Sequence, residues 1–506
     1  MSWIKDKIKS WLEIEKASKN SIVITEPYDY DTNVLKNDLW YRGDESELQQ
    51  FYRQLDDGIA NTTFWSSTGT TGIKFRKIHS GLPKIIINTL VDNVCGSINA
   101  VHIDNENSEE ETETEAESLW KDIKSDNDFD TSLSEAIKIA AVKGDGAFKI
   151  SMDKDVSMYP IIEFYPAERV RFEYKRGRLD SITYLTRYTQ DKKSFTLEEV
   201  YSKKGIKYQL YDDNGNEVEL NEVDELADLE DVINPENFQK IMGMPLMFEK
   251  SLKWKGRGAS LLDGKDSKFD AFDEVVSQWM DALRDGRTNK YIPEAMLPRD
   301  PLTGQTLSPN SFDNRYVKVG GNLQEESTNK IEVVAGKINA EELNTSYITI
   351  LDLCLQGLIS PSTLGIDIKK LDNAEAQREK EKTTLYTRAK LVNMLEKAIP
   401  ELIGLILNIH EISTSQSFSE HKISVSFGEY ANPSFEAKVE TVGQAKQFGI
   451  MSIEQAVEEL YGNSWTKEEK QSEVDRLKEE QGVIHMEEES MVFDLEDEDE
   501  TDNGSK

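Results

Sequence analysis

At 506 residues, with 37% hydrophobic and 31% charged side chains, the chain has length for about two to four domains and enough apolar content to bury substantial cores. Its 95 acidic against 60 basic residues leave a formal net charge of −35. Affinity for nucleic acid comes from Lys and Arg displacing phosphate counterions, so this balance argues against a repressor or nuclease with a broad basic groove, though not against a protein that DNA slides past.

Residues 1 to about 55 read as helical. In the opening MSWIKDKIKSWLEI, Trp3, Ile4, Ile8, Trp11 and Leu12 share one face and Lys5, Lys7 and Lys9 the other. The segment lacks the continuous apolar core and cleavage site of a signal peptide. The pattern suits a membrane surface or, the reading preferred here, docking on a protein surface. A turn at Gly43 precedes a second amphipathic helix with Leu48, Phe51, Tyr52 and Leu55 on one face. Residues 56–82, rich in Thr, Ser and Gly, read as loop, and Gly81–Ile98 as a strongly apolar, buried helix. The acidic run Asn105–Glu117 reads as a solvated loop leading into a helix at Ala116–Ile123.

After a helix around Leu133–Val142 the period changes. β-branched and aromatic residues alternate with polar ones from about 146 to 220, punctuated by Gly177, Gly205 and the pair Asn214–Gly215. This predicts an antiparallel β region, followed by an acidic insertion, DELADLED. Helix returns at Ser267–Arg284, with Phe269, Phe272, Val276, Trp279 and Leu283 in phase and Ser267 as the expected N-cap. Pro293, Pro298, Pro301, Gly304 and Pro309 then break the chain, around two strand-like pieces at Arg315–Val319 and Lys330–Val334. Ala340–Leu358 is helical again, so two helices flank a small β or α/β module.

The stretch Leu358–Pro400 is the most distinctive. A turn-rich loop with Pro361, Gly365 and the pair Lys369–Lys370 runs into a long helix, opened by Asp372 with Glu375 three residues on, an acidic variant of the capping box. The first half of that helix is polar, and the second carries an apolar stripe at Leu391, Met394, Leu395, Ala398 and Ile399. Pro400 is expected to kink it before Glu401–Ile412. A helix that turns from polar to amphipathic suits an assembly in which one end lines a solvated space and the other packs in a core. Beyond it, His421–Gly428 reads as a strand, and Ser434–Phe448, Ser452–Tyr461 and Thr466–Gln481 as helices, before an acidic tail.

Catalytic signatures are absent. Cys95 and Cys354 sit in apolar contexts and read as buried small hydrophobes rather than a disulfide. None of the five histidines pairs with another His or a Cys at ligand spacing, so no metal is expected. There is no phosphate-cradling G-x-x-x-x-G-K-[ST] and no G-x-S-x-G elbow. Gly144–Asp145–Gly146 and Gly256–Arg257–Gly258 read as plain turns. No apolar run approaches the roughly 18–20 residues of a membrane span. No cofactor is expected, and the chain is read as not an enzyme.

The segments in order resemble the portal proteins of tailed bacteriophages, in particular the long-tailed phage type of about 500 residues from Gram-positive hosts. The resemblance covers most of the chain. It is carried by the Leu39–Leu55 helix, by Lys84–Gly96 with Lys74, Arg76 and Lys77 before it, by KGDGAFKI at Lys143–Ile150 and by GRGASLLDG at Gly256–Gly264. Leu358–Arg388 and Asn432–Gly462 complete it.

The resemblance implies an α+β, mostly α protomer with a helical wing and an antiparallel β region, a two-helix stem, a small α/β clip, a long tunnel-lining helix and a helical crown. Residues 1–266 would form the N-terminal helices and wing (β region about 146–245), 267–290 the first stem helix, 291–339 the clip and 340–358 the second stem helix. Residues 359–372 would be the tunnel loop, 373–411 the kinked tunnel-wall helix, 412–485 the crown and C-terminal wing, and 486–506 the acidic tail. Such proteins form rings of about twelve subunits at one capsid vertex, through which double-stranded DNA is packaged and ejected. The partners implied are the terminase large subunit, a head-completion or adaptor protein, and the major capsid and scaffolding proteins, with no membrane. The location implied is the virion vertex, with the host cytoplasm during assembly. Leu364, Asp367, Lys369, Lys370, Glu375 and Arg378 are the expected tunnel residues, and Arg299, Asp300, Arg315 and Lys318 the expected clip docking residues. The alternatives are a non-catalytic scaffold or membrane-peripheral assembly protein, or a head-assembly enzyme such as a motor ATPase or nuclease.

Overall fold

The computed structural model describes residues 28–55, 62–68, 76–103, 114–227, 229, 232–233, 240–286, 288–293, 299–305, 316–319, 332–335, 338–366, 374–414, 420–428, 435–461 and 467–480. The amphipathic segment Trp3–Leu12, Asp372 of the acidic capping box and the acidic tail lie outside them. The chain forms two compact units, residues 1–428 and 429–506.

The first unit opens with α1 (Tyr30–Arg42), whose N-cap Asp29 accepts the Thr32 amide hydrogen at 2.9 Å. Gly43, left-handed at φ 74°, ends it, and Asp44 caps α2 (Glu45–Gln54) through the Ser46 and Glu47 amides. Buried Trp40 donates its Nε1–H to the Tyr52 hydroxyl at 2.8 Å, locking the two helices together. The apolar helix predicted to run to Ile98 stops earlier, as α3 (Leu82–Cys95). Gly96 and Ser97 turn the chain, and β1 (Ile98–Ile103) pairs antiparallel with β14 (Ile423–Phe427), the strand expected near His421–Gly428. Next, α4 (Glu115–Asp126) begins in a capping box between Thr114 and Glu117. Then α5 (Phe129–Lys143) starts four residues before the predicted helix and buries Phe129 as well as Leu133 and Ile137.

The β region is antiparallel, as predicted. Strands β2 (Gly146–Ser151), β3 (Ile161–Pro166) and β10 (Gly243–Leu246) form a three-stranded sheet in the order β10-β2-β3. A second sheet runs β4 (Val170–Lys175), β5 (Arg178–Gln190), β6 (Lys193–Ser202), β7 (Gly205–Asp212), β8 (Glu217–Val218), with β9 (Val232–Ile233) also on β7. Gly177, Gly205 and Gly215 all have positive φ at its turns. The β5–β6 turn, Asp191–Lys192, has positive φ at both residues without a glycine. Between the sheets, buried Lys149 Nζ meets Glu199 at 2.8 Å, and the Tyr184 hydroxyl donates to the Phe148 carbonyl at 2.7 Å. Leu226 of the acidic insertion packs, with Leu220 and Val223 before it, on Phe195, Leu197 and Leu210.

Two helices follow, α6 (Asp266–Asp285) and α7 (Ala340–Leu355), separated by a three-stranded sheet in which β11 (Thr288–Pro293) is central, parallel to β12 (Tyr316–Val319) and antiparallel to β13 (Glu332–Ala335). Ser267 is not the N-cap of α6; Lys265 holds that position without a side-chain bond. The helix ends at Asp285, one residue beyond the predicted Arg284, and residues 288–293 are a strand.

After a 3₁₀ turn at Pro361–Leu364 comes α8 (Ala374–Ser413), 40 residues long. It runs through Pro400 without interruption. Leu391, Leu395 and Ile399 of the predicted stripe are buried, with Leu402, Ile403 and Ile406 beyond the proline, in the main core shared with α3, α5 and α7. That burial on both sides of Pro400 outweighs the hydrogen bond a proline costs a helix. Within the second unit, α9 (Phe435–Gln447), α10 (Ile453–Tyr461) and α11 (Lys467–Glu480) match the three predicted helices. Among its described residues Val442, Ala456, Val457 and Val474 are buried and apolar. β14, expected to group with these helices, belongs to the first unit because β1 is its partner.

Candidate functional site

The elements expected to form a conduit are the helix pair α6–α7, the loop after it and α8. The pair is antiparallel. At one end a Cβ on Gly286 would run into Ile338, in the middle Tyr347 stacks against Phe272 and Trp279 at 5.2 and 5.5 Å, and at the other end Cys354 Sγ lies 3.3 Å from the Lys268 carbonyl. Burial pushes the Cys354 thiol up to about 12. Both cysteines are free thiols, Cys354 buried and Cys95 half-buried.

The root of α6 is held by its own polar residues. Asp270, Asp273 and Ser277 lie at i, i+3 and i+7, one helical face, and bind the segments around 64–65 and 78–80. Asp270 accepts the Phe64 amide hydrogen at 2.9 Å and that of Trp65 at 3.4 Å. Asp273, fully buried, accepts the Ser80 amide at 2.9 Å and the Trp65 indole N–H at 3.2 Å, and pairs with His79 Nδ1 at 2.6 Å. Ser277 Oγ accepts from Ile78 and donates back to the Asp273 carbonyl. Burial raises the Asp270 carboxyl to about 6, against the pull of the two amides. Just before α6, Asn33 and Asn37 of α1 both donate to Asp263, and Lys36 sits 3.5 Å from Asp266. Burial works against the Lys36 charge, but Asp266 and the Tyr28 hydroxyl outweigh it and raise its pKa.

The two glycine-flanked triplets read as plain turns interlock. Arg257 makes a forked pair with buried Asp145, Nε at 3.0 Å and Nη2 at 2.8 Å, and donates to the carbonyls of Val170 and Ala167. Its guanidinium lies 4.1 Å from the Tyr30 ring centroid. Asp145 also accepts the Gly258 amide hydrogen at 2.7 Å. Gly258 must be glycine because a Cβ there would strike the Gly144 carbonyl. This rivet joins α1, the start of β2, the β3–β4 connection and the segment leading into α6. Neither it nor the Asp270–Asp273–Ser277 face was foreseen. The available signal was three short polar residues on an otherwise apolar helix face, and an Arg and an Asp each between glycines.

Of the expected tunnel residues, Leu364 ends the 3₁₀ turn and packs half-buried on the main core. That turn is tied to α8 by Thr384 Oγ1, which accepts the Ser360 amide hydrogen and bonds Thr363 Oγ1, both at 2.8 Å. Glu375 and Arg378 lie one turn apart near the start of α8. Asp367, Lys369 and Lys370 lie outside the described residues. Of the expected clip residues, Arg299 is exposed and Asp300 forms a turn, its carboxylate accepting the Leu302 amide hydrogen at 2.8 Å, which holds its pKa low. Lys318 sits in β12 opposite Ile292, and Arg315 is outside the described residues. Among the described residues no helix is long and apolar enough to cross a membrane.

The buried polar groups Asp270, Asp273 and Ser277 brace two backbone segments against α6, and Arg257 with Asp145 ties the segment leading into it to α1 and β2. Residues 29–484 match the family described as Phage portal protein, SPP1 Gp6-like, and the chain belongs to that family. It is a structural protein and not an enzyme. No curated protein is similar enough in sequence to count as a match. Among solved structures, the chain is similar to the neck of an empty GTA particle computed with C6 symmetry, at 12% identity and a TM-score of 0.40, over 74% of this chain and 88% of that one. It is likewise similar to the neck of a native GTA particle computed with C12 symmetry, at 11% identity and a TM-score of 0.38, over 78% of this chain and 90% of that one.

Proposed function

We infer that this protein is the portal of a tailed phage or prophage, a ring at one capsid vertex through which double-stranded DNA enters during packaging and leaves at ejection. The observation that carries this is the family match across residues 29–484, which spans the whole run from α1 through the helix pair and α8. The ring has about twelve subunits. The α6–α7 pair is its stem, and the three-stranded sheet between the two helices is the clip, where the terminase large subunit and later a head-completion protein dock through Arg299, Asp300, Arg315 and Lys318. Residues 359–372 form the tunnel loop, with Leu364, Asp367, Lys369 and Lys370 nearest the DNA, and Glu375 and Arg378 continue the wall. Residues 412–485 form the crown and C-terminal wing, towards the capsid interior. Scaffolding and major capsid proteins are the partners during assembly in the host cytoplasm.

The physics suits a conduit. DNA must slide, so tight phosphate binding would stall it; an acidic wall with a few lysines centres the duplex weakly. Negative-stain images of the purified protein, with native mass on the same sample, test the assignment. Rings of about twelve or thirteen subunits with a central hole are expected. A compact dimer or another small closed oligomer would count against it.

A further inference from the structure

The sheet β10-β2-β3 sets two loops at its opposite ends. Lys149 of β2 pairs with Gly243 and Ser151 with Ile161, so Met152–Pro160 leaves one end. Gly146 pairs with Leu246 and Pro166, so the chain from Met247 to Gly258 leaves the other. Six residues of β2, about 20 Å of extended chain, separate them.

The loop after β10 is a small hairpin. Lys250 bridges to Gly258, and Ser251 donates its amide hydrogen to the Arg257 carbonyl at 2.8 Å. The Arg257–Asp145 rivet pins its base. Before the turn at Lys255–Gly256, Leu252 is fully exposed at 105% relative accessibility, flanked by the exposed Lys250, Lys253 and Lys255. Asp29, Asp31 and Glu168 share the cleft at its base with Lys253 and Lys255; Glu168 is paired with Lys143, and the nearest acid in sequence, Glu249, with Lys390. In a chain of net charge −35 this is a local basic knob with an exposed leucine.

The opposite loop has the complementary character. Val156 and Met158 are each 73% exposed, on a turn closed by the Asp153 carbonyl, which accepts from Val156 and Ser157. Ser157 Oγ donates to Asp126 at 2.7 Å, which sets the acids of α4 beside it. Within the loop Asp153 and Asp155 outnumber Lys154, and beside it Asp122 and Asp126 of α4 stand with Lys121 and with Lys124, which is itself paired with Asp130.

We propose that these two loops meet between subunits: the Leu252 knob of one copy seats on the Val156–Met158 loop of the next, with Lys250 and Lys255 facing Asp153 and Asp155. The proposal deepens the ring assignment and rests on it. A closed ring needs a heterologous contact, two different patches that fit each other on opposite sides of one protomer. A two-fold contact through either loop alone would set like charges together. For a subunit this acidic, a basic knob also relieves the repulsion that any face-to-face contact between copies would meet.

Charge exchange tests the pairing. Ring assembly of the full chain is followed by native mass and negative stain across a concentration series, for the wild type, Lys250→Glu/Lys255→Glu, Asp153→Lys/Asp155→Lys and the fourfold combination. Each double variant is expected to need at least tenfold more protein to form rings, and the fourfold variant to recover most of that loss. Leu252→Ser, at a site that supports no packing within the protomer, is expected to weaken assembly while leaving the thermal transition of the monomer unchanged. If the wild type forms rings and both double variants do so at the same concentration, the contact is wrong while the ring stands. Loss in both doubles without recovery in the fourfold variant also overturns the pairing. Normal rings from Lys250→Glu/Lys255→Glu with weaker retention of duplex DNA would assign the knob to phosphate instead. A wild type that never forms rings counts against the ring assignment and removes this contact with it.

Discussion

Asp270 is a carboxylate that the fold prefers protonated. Its folded pKa, about 6, stands above the ordinary value of 3.8 because the group is buried. A raised folded pKa means the folded state holds the proton more tightly, so the contribution to stability is full below pH 4 or so and is lost as pH rises through about 6. Replacing the titrating group with Asp270→Asn removes that dependence. Between pH 5 and 7.5, the stability advantage of wild type over the variant in urea titrations should shrink by roughly 1–1.5 kcal/mol. A gap that stays constant with pH would mean the group does not titrate there. Arg257 poses the opposite case, a charge whose partner cannot leave. Arg257→Met strands Asp145, which is fully buried, and should cost about 3–5 kcal/mol of stability. Arg257→Lys should recover little of it, because one ammonium cannot supply the fork to Asp145 and also reach the Val170 and Ala167 carbonyls. Full recovery by lysine in thermal melts would show that charge alone, not geometry, holds the rivet.

At the scale of elements, the sequence was legible where one local signal dominated. The in-phase apolar residues from Phe269 to Trp279 gave α6 to within a residue at each end, and the three C-terminal helices were placed equally well. Glycines at the turns of the antiparallel sheet marked the hairpins, but Asp191–Lys192 reached the same backbone without one, so composition could not mark it. Of β1 only the first residue, Ile98, fell inside the predicted helix, and the rest had no assignment; the pairing with β14, more than 300 residues on, makes the strand, and no local pattern signals it. Pro400 shows the same limit from the other side. A proline marks an interruption and a kink in the sequence, yet the hydrogen-bonded helix α8 runs through it, because the side chains on both sides are buried in one core. The candidate conduit was legible as an order of elements, helix, small sheet, helix, loop, long helix. The groups that brace it were not, since Asp273 with His79 and Arg257 with Asp145 are defined by contacts between distant segments.

Over the whole molecule, charge governs what the protein can do with DNA. A ring of subunits at −35 each presents DNA with a net repulsive surface, and an 8–10 Å screening length at physiological salt confines that repulsion to the channel wall itself. Any attraction must then come from a few cations close to the duplex. Lys369 and Lys370, adjacent in the segment that links the Leu364 turn to α8, are the candidates, and neutralising them makes each subunit two charges more negative. Lys369→Ala/Lys370→Ala should leave ring formation unchanged, because the 3₁₀ turn remains tied to α8 through Thr384. It should lower the DNA packaged per particle in a packaging assay, more so at low salt, where the repulsion of the remaining wall reaches further. Equal packaging by wild type and double variant at both salt concentrations would mean that the duplex is guided by the shape of the channel, and that the two lysines are ordinary solvated loop residues.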